Sequence, residues 1–133
     1  MIVDASVAIK WVVEEADSER AFELLDSDNL AAPDLIFCEV ANAIWKKHRR
    51  GELSGIPSRL RIVTQMLTVV EPSSNLMSRA SELAVELGHP AYDCFYLALA
   101  ELRGDIVVTA DARLISVCAR TRFATLVTAL DKR

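Results

Sequence analysis

The sequence predicts an α/β fold, a three-layer sandwich with a short central parallel sheet and helices on both faces. Short apolar runs that read as strands alternate with helical stretches along the whole chain, the pattern of parallel strands joined by right-handed crossovers. The clearest of them, Ile106-Val107-Val108-Thr109, is continuously β-branched rather than alternating, as suits a strand covered on both sides. The 133 residues, 52% hydrophobic and 26% charged with 4 Gly and 4 Pro, supply a core for one domain, residues 1–133. They exclude a disordered tail, a collagen-like repeat or a mucin-like stalk.

Met1-Ile2-Val3-Asp4 reads as the first strand and Ala5 to Glu15 as the first helix. Asp17 to Leu25 is a second amphipathic helix, with acidic residues in its first turn where the dipole favours them. Leu30-Ala31-Ala32 is a short strand closed by Pro33. Asp34 to Arg50 is strongly helical and Gly51 is its stop. Ile36, Phe37, Cys38, Val40, Ala41, Ile44 and Trp45 sweep out a broad apolar face at 100° per residue. Gly51 to Ser58 is a connection. Helices follow at Pro57 to Leu67 and Asn75 to Leu87, with a strand at Thr68-Val69-Val70 between them. Pro90 opens a helix over Ala91 to Arg103, ended by Gly104. After Ile106 to Thr109 come a helix over Ala112 to Ala119 and a last strand at Leu126-Val127-Thr128.

Cys38, Cys94 and Cys118 are odd in number and lack metal spacing, so they read as reduced thiols packed as small hydrophobes. The N-terminus has no basic segment before its apolar run and no stretch is long enough to cross a bilayer, so a cytoplasmic protein without a membrane partner is expected. With 19 acidic against 15 basic side chains the net charge is −4, not the excess positive charge of a typical nucleic-acid binder.

Four carboxylates stand out. In parallel sheets the binding crevice lies at the carboxyl ends of the strands, where Asp4 and Asp111 fall, although both are also in helix N-cap positions. Asp93 begins a helix, AYDCFYLALA, that is apolar on nearly every face, and a charge buried there needs a partner. Glu39 heads a polar stripe with Asn42 at i+3 and Lys46 at i+7, so these three side chains can face one crevice. Two carboxylates about 5 Å apart repel by roughly 3 kcal/mol at an effective dielectric of about 20. Convergence therefore demands raised pKa values or a counter-ion, and an all-oxygen set selects Mg²⁺ or Mn²⁺ over zinc.

Ile2-Val3-Asp4-Ala5-Ser6-Val7-Ala8, Glu39-Val40-Ala41-Asn42-Ala43, Tyr92-Asp93 followed by Tyr96-Leu97-Ala98-Leu99-Ala100, and Val107-Val108-Thr109-Ala110-Asp111 together resemble a PIN domain. More narrowly they resemble the VapC-type toxins of prokaryotic toxin–antitoxin pairs. The resemblance runs from residue 2 to the end and rests on four motifs in the right order. It implies a metal-dependent ribonuclease with Asp4, Glu39, Asp93 and Asp111 as its acidic pocket. Asp4 and Asp93 would bind metal, Asp111 would be a further ligand, and Glu39 would assist water or a second metal. Ser6, Asn42 and Thr109 match positions that orient carboxylates. Where many relatives carry another acidic or polar residue after the last Asp, this chain has Ala112, Arg113 and Leu114, which points to a single tightly held metal. A homodimer and a cognate antitoxin whose C-terminal segment fills the groove are also implied.

Lys46, Lys47, His48, Arg49 and Arg50 form the dense positive run, set at a helix C-terminus where the dipole also favours it. Lys46, Arg49 and Arg50 are candidates for holding RNA phosphates, and Arg59 and Arg61 could extend the patch. Trp11 and Trp45 read as core or dimer contacts, and His48 and His89 have no matched partner for acid–base work. A response-regulator receiver fits less well, because Asp4 is followed by Ala5 and the late Lys is only Lys132. Ser6 stands where a DxD phosphatase needs its second Asp. The remaining alternative is a PIN-like domain that binds RNA or a partner without cutting.

Overall fold

The computed structural model describes residues 1–27 and 29–133. Five parallel strands, β1 (Ile2–Val3), β2 (Ala31–Pro33), β3 (Val69–Glu71), β4 (Val107–Thr109) and β5 (Val127–Ala129), form one sheet in the order β3-β2-β1-β4-β5. Among the described residues seven α-helices join them: α1 (Ala5–Val12), α2 (Ser18–Glu23), α3 (Leu35–Arg49), α4 (Arg61–Met66), α5 (Met77–Leu87), α6 (Ala91–Arg103) and α7 (Ala112–Cys118). Ile2, Val3, Ala31, Ala32, Val107 and Val108 are all buried, so the three inner strands are covered on both faces, as their unbroken apolar runs require. α6 packs across β2, β1 and β4 with α5 beside it, while α1 packs against α2, α3 and α4. Among the described residues no helix is long and apolar enough to cross a membrane.

Several boundaries move for local reasons. α1 stops at Val12, short of Glu15, because Val13 turns extended and Ser18 Oγ accepts the Glu15 N–H at 2.9 Å. Asp17 lies outside α2, in the left-handed region at φ 63°. Ahead of α4, the Leu60 N–H bonds Pro57 O and the Ile62 N–H bonds Arg59 O. These are i+3 turns, which delay the regular helix expected from Pro57. Leu126 closes a short 3₁₀ turn, so β5 starts one residue later than expected.

Trp11 is fully buried and its indole N–H donates to Ala21 O at 2.8 Å, which ties α1 to α2. The apolar face of α3 is narrower than its periodicity suggests. Ile36, Val40 and Ile44 are buried, whereas Cys38 and Ala41 are exposed and Trp45 is 52% exposed. Cys94 and Cys118 are buried free thiols, but Cys38 is not packed as a small hydrophobe. α1 and β2 cover only the central stripe of α3, which leaves its flank to solvent.

Candidate active site

β1 leads outward to β2 and β3, and the chain then returns to add β4 and β5 on the other side. The order therefore reverses between β1 and β4, and a crevice opens there beyond the carboxyl ends of the strands. Val3 pairs in register with Val108. Asp4, directly after β1, and Asp111, two residues after Thr109, consequently reach the crevice together. α3 brings Glu39 and the first turn of α6 brings Asp93. A cavity of about 180 Å³ is lined by Asp4, Ala5, Ser6, Glu39, Asp93, Tyr96 and Asp111. Among the described residues its lining has four carboxylates and no basic side chain.

Asp4 is 4% exposed. Ser6 Oγ donates to its Oδ1 at 2.5 Å, the Val7 N–H donates to the same oxygen at 3.2 Å, and Thr109 Oγ1 donates to Oδ2. Both hydroxyls have their direction set from behind, since Ser6 Oγ accepts the Ala110 N–H at 2.9 Å and Thr109 Oγ1 accepts the Asp111 N–H at 3.0 Å. The two hydroxyl oxygens also lie 3.3 Å apart, so Asp4 sits on a small linked network of neutral donors. Burial nevertheless dominates and pushes the Asp4 pKa up to about 6, with the Asp93 charge adding to the rise and the three donors opposing it. Glu39 is half-buried. Desolvation raises its pKa too, against a 2.6 Å hydrogen bond from Tyr96 Oη to Oε1, and Asp93 raises it further. Asp111 Oδ1 caps α7 through the Arg113 N–H at 2.9 Å. Asp4 and Asp111 are thus N-caps that also line the cavity.

Asn42 is not brought in. It is exposed and does not line the cavity, because three residues beyond Glu39 it is turned about 60° around α3. Lys46, Arg49 and Arg50 are exposed at the end of α3, and the Arg49 guanidinium lies 5.4 Å from the centre of the Trp45 ring. Lys47 is withdrawn from this strip by ion pairs to Glu15 at 2.6 Å and Glu52 at 3.6 Å.

Two further residues at the site have no role that the sequence alone assigns. His89 is buried and its Nε2 lies 2.6 Å from Asp93 Oδ2. Tyr96 is buried and serves Glu39. The available signals were the i+3 spacing of Tyr96 from Asp93 on one helix face and the need of a buried tyrosine hydroxyl for a partner.

Residues 1–120 match the family model of the PIN domain. The chain belongs to the PIN domain family. Ribonuclease VapC3 of Pyrobaculum aerophilum is 33% identical over 120 residues, covering 86% of this chain and 91% of that protein. The crystal structure of PAE2754 from Pyrobaculum aerophilum is 26% identical with a TM-score of 0.64, over 98% of this chain and 83% of that chain. A chain of a toxin–antitoxin complex from Klebsiella pneumoniae shares the fold at 18% identity and a TM-score of 0.66, covering 97% of this chain and 96% of that one.

A PIN domain implies a divalent cation, and the donor set here fits one: all-oxygen, anionic, partly desolvated and without a counter-charge in the cavity. Among the described residues no group of three acidic, His or Cys side chains is close enough together to hold an ion. Asp93 Oδ2, Glu39 Oε1 and Asp111 Oδ1 each meet a protein partner, and each of these carboxylates has a second oxygen.

Proposed function

We propose that this PIN domain is the toxin of a toxin–antitoxin pair, an endoribonuclease that hydrolyses RNA phosphodiester bonds with Mg²⁺ or Mn²⁺. The observation that carries the reading is the convergence of Asp4, Glu39, Asp93 and Asp111 on one cavity with no basic side chain. The similarity to a VapC ribonuclease over most of the chain supports the activity, and the fold shared with a chain of a toxin–antitoxin complex supports the biological setting.

Asp4, Asp93 and Asp111 would hold the cation, which when bound supplies positive charge against the phosphodiester and acidifies water. Ser6 and Thr109 keep Asp4 in one orientation. Glu39 has its pKa raised by burial and keeps Oε2 clear of the Tyr96 hydroxyl; it takes the proton from the attacking water. Lys46, seven residues beyond Glu39, is about 10 Å further along α3. With Arg49 and Arg50 it holds RNA phosphates leading to the pocket, so the negative net charge is offset where RNA approaches. A homodimer, a cognate antitoxin and a cytoplasmic location belong to the same reading.

The test is cleavage of a structured RNA by purified protein. Cutting is expected with Mg²⁺ or Mn²⁺ and not with chelator, and Asp4→Asn or Asp93→Asn should lower it about 10²–10³-fold without changing the circular dichroism. Metal-independent cutting, or full activity in both variants, overturns the mechanism. RNA binding without cleavage under every metal condition would assign the chain to the non-cutting PIN domains instead.

A further inference from the structure

His89 lies between two helices that pack on one another. α5 ends at Leu87 and is capped by Gly88, whose φ of 62° is in the left-handed region where a side chain is strained, and α6 begins after Pro90. The His89 N–H bonds back to Ala84 O at 3.2 Å, so its backbone is anchored and the imidazole is carried over the first turn of α6. His89 is 9% exposed, more enclosed than the carboxylate it meets. Nε2 lies 2.6 Å from Asp93 Oδ2, and in the tautomer that carries its hydrogen on Nε2 the ring donates to that oxygen, which as a carboxylate oxygen can only accept.

The alternative open to Asp93 shows what this bond does. The first turn of a helix has free N–H groups, and α6 receives no side-chain cap from Pro90. An Asp at the third helical position is well placed to turn back onto that unsatisfied end. His89 is the side-chain donor that Asp93 has in the structure, and it holds Oδ2 while Oδ1 stays available to the cavity that Asp93 lines. Asp4, by comparison, is fixed by three donors. Among the described residues Asp93 has one, His89.

We infer that His89 is a positioning residue for the cation site, holding Asp93 by Oδ2 so that Oδ1 is presented to a divalent ion. The inference rests on the reading of Asp93 as a metal ligand. Outer partners of metal ligands are worth about 10–100-fold in metal affinity, which sets the expected effect.

The experiment is Mn²⁺ binding to the purified full chain by titration calorimetry, with thermal melting alongside. His89→Phe fills the space without a donor and should weaken Mn²⁺ binding about 10–100-fold. His89→Gln, whose amide nitrogen reaches as Nε2 does, should recover most of the affinity, and raising Mn²⁺ should restore cleavage in His89→Phe. Wild-type affinity in His89→Phe, with or without a lower melting temperature, overturns the inference. So does a Gln variant as weak as the Phe variant, since the ring rather than its hydrogen bond would then matter. Asp93→Asn separates the two failures: if it binds Mn²⁺ as the wild type does, the reading of the pocket is what fails.

Discussion

Asp4 and Glu101 are both carboxylates in contact with partners on other elements, yet their proton affinities move in opposite directions. Glu101, on the outer flank of α6, is forked by Arg79 with Nε–Oε1 at 2.7 Å and Nη2–Oε2 at 3.0 Å, and that bond holds its pKa below the usual range. Nearby, Arg122 does the same for Glu86. In the pocket, burial raises Asp4 and Glu39, and the donors that meet them are neutral hydroxyls and a backbone amide. Pairing a carboxylate with Arg satisfies it and leaves no charge for a ligand. Orienting it with a hydroxyl directs its lone pairs without neutralising it. The α5–α6 flank is electrostatically closed, and the pocket is open to a cation.

The largest effect expected on stability follows from that difference. Asp4 has a folded pKa of about 6 against an ordinary aspartate value of 3.8, so the folded state binds more protons than the unfolded one between those values. Its contribution is intact below about pH 4 and is lost as pH rises through 6, a cost of roughly 3 kcal/mol at neutral pH. Asp4→Asn should therefore stabilise the metal-free protein at pH 7–8 by up to about 3 kcal/mol, with the gain fading toward pH 4. Urea melts in chelator across that range measure it. An equal gain at both ends would show that charge is not the cause.

A smaller effect is expected at Tyr96. Its hydroxyl lowers the Glu39 pKa against the dominant effect of burial, so Tyr96→Phe should move the acid limb of the cleavage pH profile to higher pH and reduce the rate about tenfold. An unmoved acid limb would remove Glu39 from proton transfer. The smallest effect belongs to the closed flank. The Arg79 side chain is 36% exposed, and solvent screens its ion pairs, so Arg79→Ala should cost about 1 kcal/mol or less, decline with salt and leave cleavage unchanged. A loss of cleavage there would break the division between the two regions.

Much of the site was legible from local pattern. Asp4 and Asp111 follow apolar strand runs, and strand ends in a parallel sheet face the crevice. Asp93 was conspicuous because the α6 sequence around it is apolar on nearly every face. The stripe of Glu39, Asn42 and Lys46 points to all three, but of these only Glu39 lines the cavity, since a periodicity does not say which edge of a stripe a neighbouring helix will cover. The same limit hid the exposure of Cys38 and Trp45 on the other flank of α3.

The sequence by itself determined the alternation of strands and helices, the glycine and proline stops, and the carboxylates at or near element ends. These are local properties, set by side-chain period and backbone preference within a few residues. Only the tertiary structure decided which donor each carboxylate receives. Tyr96 reaches Glu39 across 57 residues of chain and Thr109 reaches Asp4 across 105. Even His89, four residues from Asp93, meets it because the packing of α5 on α6 aims the imidazole. Whether a carboxylate is neutralised or only oriented depends on which side chain packing brings to it, and no spacing along the chain encodes that choice.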